Sequence, residues 1–343
     1  MSRIYNIKGF LEDVAIVDGA TTENGFVNRT SSTISFTDNT RTLTLTPVGA
    51  GYEYWSGGVE WVGVATKTIQ ISATEGLHFV YLANETLAET TVFTDDLIIS
   101  KTLVASLYWD NVNAKAILIN DERHGRVMDS QTHLYRHDSA GASYDSGLAL
   151  VNMSVDGTGD DAANARFGVE NGIIWDEDIE HALTTGAPQV LANPAEIPLY
   201  YRLGASGLWR LITATTYPVT TTGTGRAAWN QLTGGAWQLT EVTNVQFVLM
   251  HYFATGCLLS PFIGLVGQAD YTTVALARAG ALVELNTLAL GGISALAAEF
   301  VPVATVIWQS NNAYGNAVKS RVRLTDAGTN FVDWRIQRSG KAA

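Results

Sequence analysis

From Ser31 onward apolar and polar residues alternate with period two, in short runs broken by turn-forming residues, and this alternation constrains the fold more than any other feature. Ile34-Ser35-Phe36 and Thr42–Thr46 alternate cleanly on either side of the turn Thr37-Asp38-Asn39-Thr40. Tyr54-Trp55 and Val59–Trp61 flank Ser56-Gly57-Gly58, a second hairpin signal. Further strands are predicted at Thr68–Ile71, Leu77–Leu82, Thr90–Phe93, Leu103–Trp109 and Ala116–Ile119. Strands this short, spaced every ~8–12 residues with polar turns between them, make an antiparallel sandwich or barrel. Residues 31–120 are therefore expected to form a first β domain.

The rhythm resumes at Ile197. Arg202-Leu203 with Trp209–Leu211, and Gln231-Leu232 with Trp237–Leu239, are two similar hairpins around glycine-bearing turns. Val245–Phe253 and Leu258–Val266 are apolar throughout, as central strands buried on both faces would be. Asp270 is expected to cap a helix over Thr272–Ala279, and Val303–Trp308, Ser320–Leu324 and Phe331–Ile336 to supply closing strands. Residues 196–343 thus read as a second β domain. The expected architecture is mainly β: two antiparallel sandwich or barrel-like domains joined by an irregular, Gly/His-containing linker with short helices.

That linker, residues 121–195, holds several glycines and many turn-favouring side chains. Within it Asp176-Glu177-Asp178-Ile179 reads as the start of a short helix, since carboxylates suit a first turn. Ahead of both domains, Ile4, Ile7, Phe10, Leu11, Val14 and Val17 fit an amphipathic stripe. Residues 1–30 are read either as an attachment segment for a partner or as a strand or helix packed on its own domain.

Composition narrows the function classes. With 46% apolar and 16% charged residues over 343 positions, the chain can bury a large core. A net charge of −12 argues against a nucleic-acid partner, whose backbone demands a basic surface. Cys257 is the sole cysteine, so neither an intrachain disulfide nor a multi-thiolate metal site can form. Lys8, Glu12 and Asp13 interrupt any signal-peptide core, and no apolar run nears the ~20 residues that span a bilayer. The expectation is synthesis in a cytoplasm, with no membrane insertion.

Three groups of residues could carry chemistry. Asp129, His133 and His137, spaced by four, share one helical face and form a weak candidate metal set. Structural, hydrogen-bonded histidines are the favoured reading, so no metal and no cofactor is expected. Asp156-Gly157-Thr158-Gly159-Asp160-Asp161 has the look of a calcium loop but lacks the distal glutamate, leaving a solvated turn. The tryptophans Trp55, Trp61, Trp109, Trp209, Trp229 and Trp237 lie near turns, and all but Trp229 stand as candidate surface or interface aromatics, with glycan stacking set against core packing. Packing is the favoured role. No G-x-S-x-G elbow, phosphate loop or H-E-x-x-H motif is present, and the acidic pairs Asp121-Glu122 and Asp176–Asp178 do not converge on strand geometry. An enzyme is not expected, and no catalytic residue is assigned.

The central stretch resembles a family of tailed-bacteriophage structural proteins, tail fibre or minor virion proteins. The resemblance is carried by Glu122-Arg123-His124-Gly125, Met128-Asp129, Thr132–Tyr135, His137, Gly147–Leu150, Phe167-Gly168-Val169 and Asp176–Ile179. It extends through the Trp-rich domain before it and on to Phe247–Asn286, covering most of the chain. What it implies is a virion-located, non-enzymatic β protein, a homotrimer that contacts other virion proteins of tail, baseplate or neck, and a host-surface glycan if it binds the host. A tail or baseplate-associated fibre component attached by its N-terminus is the first expectation. A head, neck or collar decoration or adaptor protein is the second, and a polysaccharide-processing enzyme the third. On this reading Glu122, Arg123, His124, His133, Tyr135 and His137 form a domain joint or assembly contact.

Overall fold

The computed structural model describes residues 23–335. The fold is mainly β, as the alternation requires. The stripe over residues 4–17 lies outside the described residues. The chain divides into two compact units: 1–116, 120–141 and 177–179 make the first, and 117–119, 142–176 and 180–343 the second. No single helix among the described residues is long and apolar enough to cross a membrane.

In the first unit the strands are β1 (Gly25–Phe26), β2 (Ser32–Thr37), β3 (Thr42–Pro47), β4 (Tyr52–Ser56), β5 (Val59–Gly63), β6 (Lys67–Gln70), β7 (Gly76–Ala83), β8 (Thr86–Thr90), β9 (Thr102–Asp110) and β10 (Lys115–Asp121). They form sheets β1-β4-β5, β2-β3-β6 and β10-β9-β7-β8. The β2–β3 hairpin pairs Ile34 with Leu45 and Phe36 with Leu43 across the Asp38–Thr40 turn, as the alternation predicts. Leu43 and Leu45 are wholly buried while Thr42, Thr44 and Thr46, which alternate with them, are partly exposed. Phe26, Tyr52 and Tyr54 pack with ring centroids 5.8–6.0 Å apart. Each such ring removes a large apolar area from water, at about 25 cal/mol per Å². Among the described residues two α-helices join the unit, α1 (Asp96–Ile99) and α2 (Ser130–Ser139).

The second unit opens with β11 (Ala142–Gly147), β12 (Leu150–Val151), β13 (Gly168–Val169), β14 (Gly172–Asp176) and β15 (Ile179–Leu183). After these come β16 (Ile197–Leu203), β17 (Leu208–Thr215), β18 (Thr221–Thr222), β19 (Arg226–Thr233), β20 (Ala236–Glu241), β21 (Phe247–Ala254) and β22 (Phe262–Tyr271). Helix α3 (Val274–Thr287) then precedes β23 (Val301–Ser310), β24 (Ser320–Val322) and β25 (Val332–Asp333). The main sheet runs β17-β16-β22-β21-β23-β24, with β25 also on β23. All its pairings are antiparallel except β16 with β22. Every residue of β21 is buried, as its unbroken apolar run implies.

Three sequence expectations need correction. The segment 121–195 does not stand apart as a linker: its first part belongs to the first unit, and Leu148, Leu150, Phe167, Val169 and Ile174 join the second unit's core. Asp176–Ile179 is no helix start, because Asp176 ends β14 and Ile179 begins β15, leaving Glu177-Asp178 as a tight turn. The third concerns α3, capped by the Thr273 hydroxyl accepting from Leu276 N–H at 3.1 Å, while Asp270 lies in β22.

Candidate functional site

Past β10 the chain leaves regular structure at Glu122 and runs beside β1, with Phe26 N–H donating to His124 O at 2.8 Å and Arg126 N–H to Phe26 O at 3.0 Å. This approach depends on Gly25, whose φ is +105° and where an added Cβ would stand 2.6 Å from the His124 carbonyl oxygen. Asp129 then caps α2, its Oδ1 accepting from Gln131 N–H at 3.1 Å and Thr132 N–H at 3.0 Å. The cap starts a helix whose first and second turns carry His133 and His137 on one face, as the spacing of four requires.

These turns meet the third strand of chain, residues 177–179. His133 Nε2 lies 2.8 Å from Glu177 Oε2, and His137 Nδ1 lies 3.3 Å from Glu177 Oε1. His124 Nδ1 stands 3.7 Å from Glu177 Oε2 and 2.7 Å from Asp178 Oδ1. The His124 and His133 rings are 4.5 Å apart, and Phe93 stacks on His137 at 5.3 Å. Gly125 N–H donates to Asp178 Oδ2 at 2.7 Å, and Ser106 Oγ to Glu122 Oε1 at 2.6 Å. A cavity of about 10 Å³, lined in part by Asn24, Glu122, His124 and His133, adjoins the cluster. It has room for about one water.

Burial sets the electrostatics. The Glu177 side chain is fully inaccessible, and its residue adopts φ +53°, a left-handed conformation that favours glycine. Burial alone would raise its carboxyl, but the adjacent His133, His137 and His124 rings outweigh that and hold it well below the ordinary carboxylate range. Asp178 is likewise lowered: burial pushes it up, and His124 and the Gly125 N–H prevail. His133 moves down, chiefly through burial, with Glu177 and Asp178 opposing. A lowered imidazole is neutral at neutral pH and offers a lone pair.

The predicted residues separate into two groups. Glu122, His124, His133 and His137 converge, all buried. Asp129 does not join them: both its oxygens serve the helix cap, with Oδ2 taking the Thr132 hydroxyl at 2.6 Å. Those Thr132 bonds come first among the causes that lower its carboxyl. Tyr135 points outward and is 71% exposed. Arg123 turns away into a separate network, gripping Asp121 by two bonds of 2.7 Å and the Ser32 carbonyl at 2.6 Å. Sequence reading missed Glu177 and Asp178, which lie 44 and 45 positions beyond His133. The apolar residues on either side, Ile173–Trp175 and Ile179, are the available sign that the acids between are a turn.

The other candidates resolve as structure. Trp109, Trp209 and Trp237 are buried core residues rather than surface rings, with Trp209 Nε1 donating to Leu290 O at 2.7 Å and Arg202 stacked 4.5 Å over Trp237. Trp55 and Trp61 are half-buried. In the acidic loop, Arg323 binds Asp156, Gly315 N–H binds Asp160 at 3.1 Å, and Asp161 caps the turn Ala162–Ala165. One oxygen of each carboxylate thus meets a protein donor. No family model matches the chain, and no curated protein and no solved structure is similar to it.

Proposed function

We propose that the chain is a non-enzymatic structural protein of a tailed-bacteriophage particle, a tail or baseplate-associated fibre component that works as a homotrimer. The phage part of this reading rests on the resemblance of the central motifs. The assembly part is carried by one observation, the outer strand β5. Among the described residues it pairs with β4 on one side only, and Val59, Val62 and the following Val64 are 52%, 60% and 71% exposed. An unpaired row of backbone groups lined with β-branched apolar side chains is a template for another chain, and soluble monomers blunt such edges with Lys or Pro. Coverage by neighbouring copies removes both the backbone and the apolar exposure. Residues 1–30 would then attach the trimer to another virion protein, and host-surface contact would gain from threefold avidity.

Light scattering of the full chain at micromolar concentration tests this. Three times the 36.9 kDa chain mass is expected, falling to one chain mass for Val62→Lys with an unchanged circular-dichroism spectrum. A wild-type monomer overturns the reading.

A further inference from the structure

We propose that His124, His133 and Glu177 form the core of a divalent transition-metal site, suited best to zinc, that fastens the turn 177–178 to helix α2 and to the chain after β10. The proposal does not depend on the assembly reading. One donor atom from each of the three lies within 4.8 Å of the others, and all three residues are buried. Imidazole nitrogen and carboxylate oxygen are zinc's ordinary ligands, and soft thiolates are not required. A tetrahedral ion held at 2.0–2.1 Å sets its ligand atoms roughly 3.3 Å apart. The distances from Glu177 Oε2 to His133 and His124 nitrogens, 2.8 and 3.7 Å, straddle that value.

The second observation concerns Glu177 itself. Its residue is 95% buried, being 5% exposed, yet neither carboxylate oxygen accepts an aligned hydrogen bond. His133 Nε2 and His137 Nδ1 lie 2.8 and 3.3 Å from these oxygens without hydrogen-bond alignment. A buried carboxylate in that state is costly, and a cation at the common point removes the cost. Surrounding groups are placed as an outer shell. His137 Nδ1 stands 3.3 Å from Oε1, so Oε2 is the oxygen that faces His133 and His124. Asp178 Oδ1 faces the same His124 Nδ1 that faces Glu177, while its Oδ2 is fixed by the Gly125 N–H, so it is the nearest group to complete the ligand set. Glu122, fixed by Ser106, stands 3.7 Å from the other His124 nitrogen.

Calorimetric titration of the chelator-stripped full chain with zinc chloride tests the proposal. One equivalent per chain is expected to bind, and the melting temperature to rise with zinc. Glu177→Gln should weaken binding by more than about 100-fold, and Asp178→Asn by about 10–100-fold. Should Glu177→Gln fail to fold, Asp178→Asn and the wild-type melting shift decide the matter. Absence of saturable uptake by the wild type would overturn the site in favour of an imidazole–carboxylate network held by protons alone. So would uptake that both variants retain in full.

Discussion

Two buried glutamates facing histidines, one in each unit, satisfy their charge in different ways. Glu284 in α3 is closed by ordinary donors: Gln268 N–H on Oε1, the Tyr271 hydroxyl on Oε2 at 2.6 Å, and His251 Nε2 at 3.3 Å. His251 is in turn paired with Thr305 at 2.7 Å, whose oxygen also takes Trp334 Nε1 at 2.8 Å. Glu177, equally buried, has three imidazoles around it and no aligned donor on either oxygen. Burial of an acid near histidine is thus no sign of a ligand site by itself. What separates the two is whether the lone pairs are already used.

The sharpest way to break the comparison is to remove each acid. Glu284→Ala strands the buried His251 nitrogen and two part-buried donors, at about 1–3 kcal/mol for each left unpaired, so a loss of roughly 3–5 kcal/mol is expected in urea unfolding. Added chelator should not change it. Glu177→Gln in the chelator-treated chain loses no aligned hydrogen bond but does lose the attraction of the imidazoles that holds its carboxyl low, and should cost less, about 1–2 kcal/mol. Equal losses for the two variants would erase the distinction.

Ion pairs extend the contrast to acid pH. Burial would raise Asp121, but Arg123 and Arg29 outweigh it and hold the carboxyl below the ordinary range. A carboxyl lowered in the folded state contributes its stability above the unfolded value of about 3.9, and loses it as pH falls through the folded value. Asp333 of the second unit is lowered in the same sense, with burial opposing and Arg335 prevailing, but its side chain is 30% exposed. Asp121→Asn should therefore cost about 2 kcal/mol at pH 7, and Asp333→Asn under about 1 kcal/mol. Acid unfolding curves should bring wild type and Asp121→Asn together as pH falls from the unfolded value of about 3.9 through the folded one. A gap that does not narrow as pH falls below about 3.9 would remove the ion pair as the cause.

Much of the fold was legible because period-two alternation is a local signal. The β2–β3 and β4–β5 hairpins follow directly from it, and the buried strands β21 and β23 from their apolar runs. The cluster was only half legible. His133 and His137 announce a shared face by spacing, whereas Glu177 reaches them through a tight turn between two strands, a tertiary relation with no sequence period. The left-handed φ of Glu177 hid the turn further, since its usual marker, glycine or asparagine, is missing there. Asp129 was misplaced for the opposite reason: an acid four residues before a histidine fits a ligand face and a helix cap equally well.

The smallest effect bears on that last ambiguity. As a cap, Asp129 supplies an oxygen to two backbone N–H groups and the Thr132 hydroxyl, and any small polar residue can replace most of that. Asp129→Ala is expected to cost about 1 kcal/mol in unfolding experiments, and Asp129→Ser only a few tenths. Zinc affinity measured on Asp129→Ser should equal that of the wild type, because the serine keeps α2 in place and removes only the carboxylate. A tenfold loss of zinc binding in Asp129→Ser with normal stability would return Asp129 to the ligand set. It would also mean that the ion sits off the N-terminal end of α2, not against Glu177.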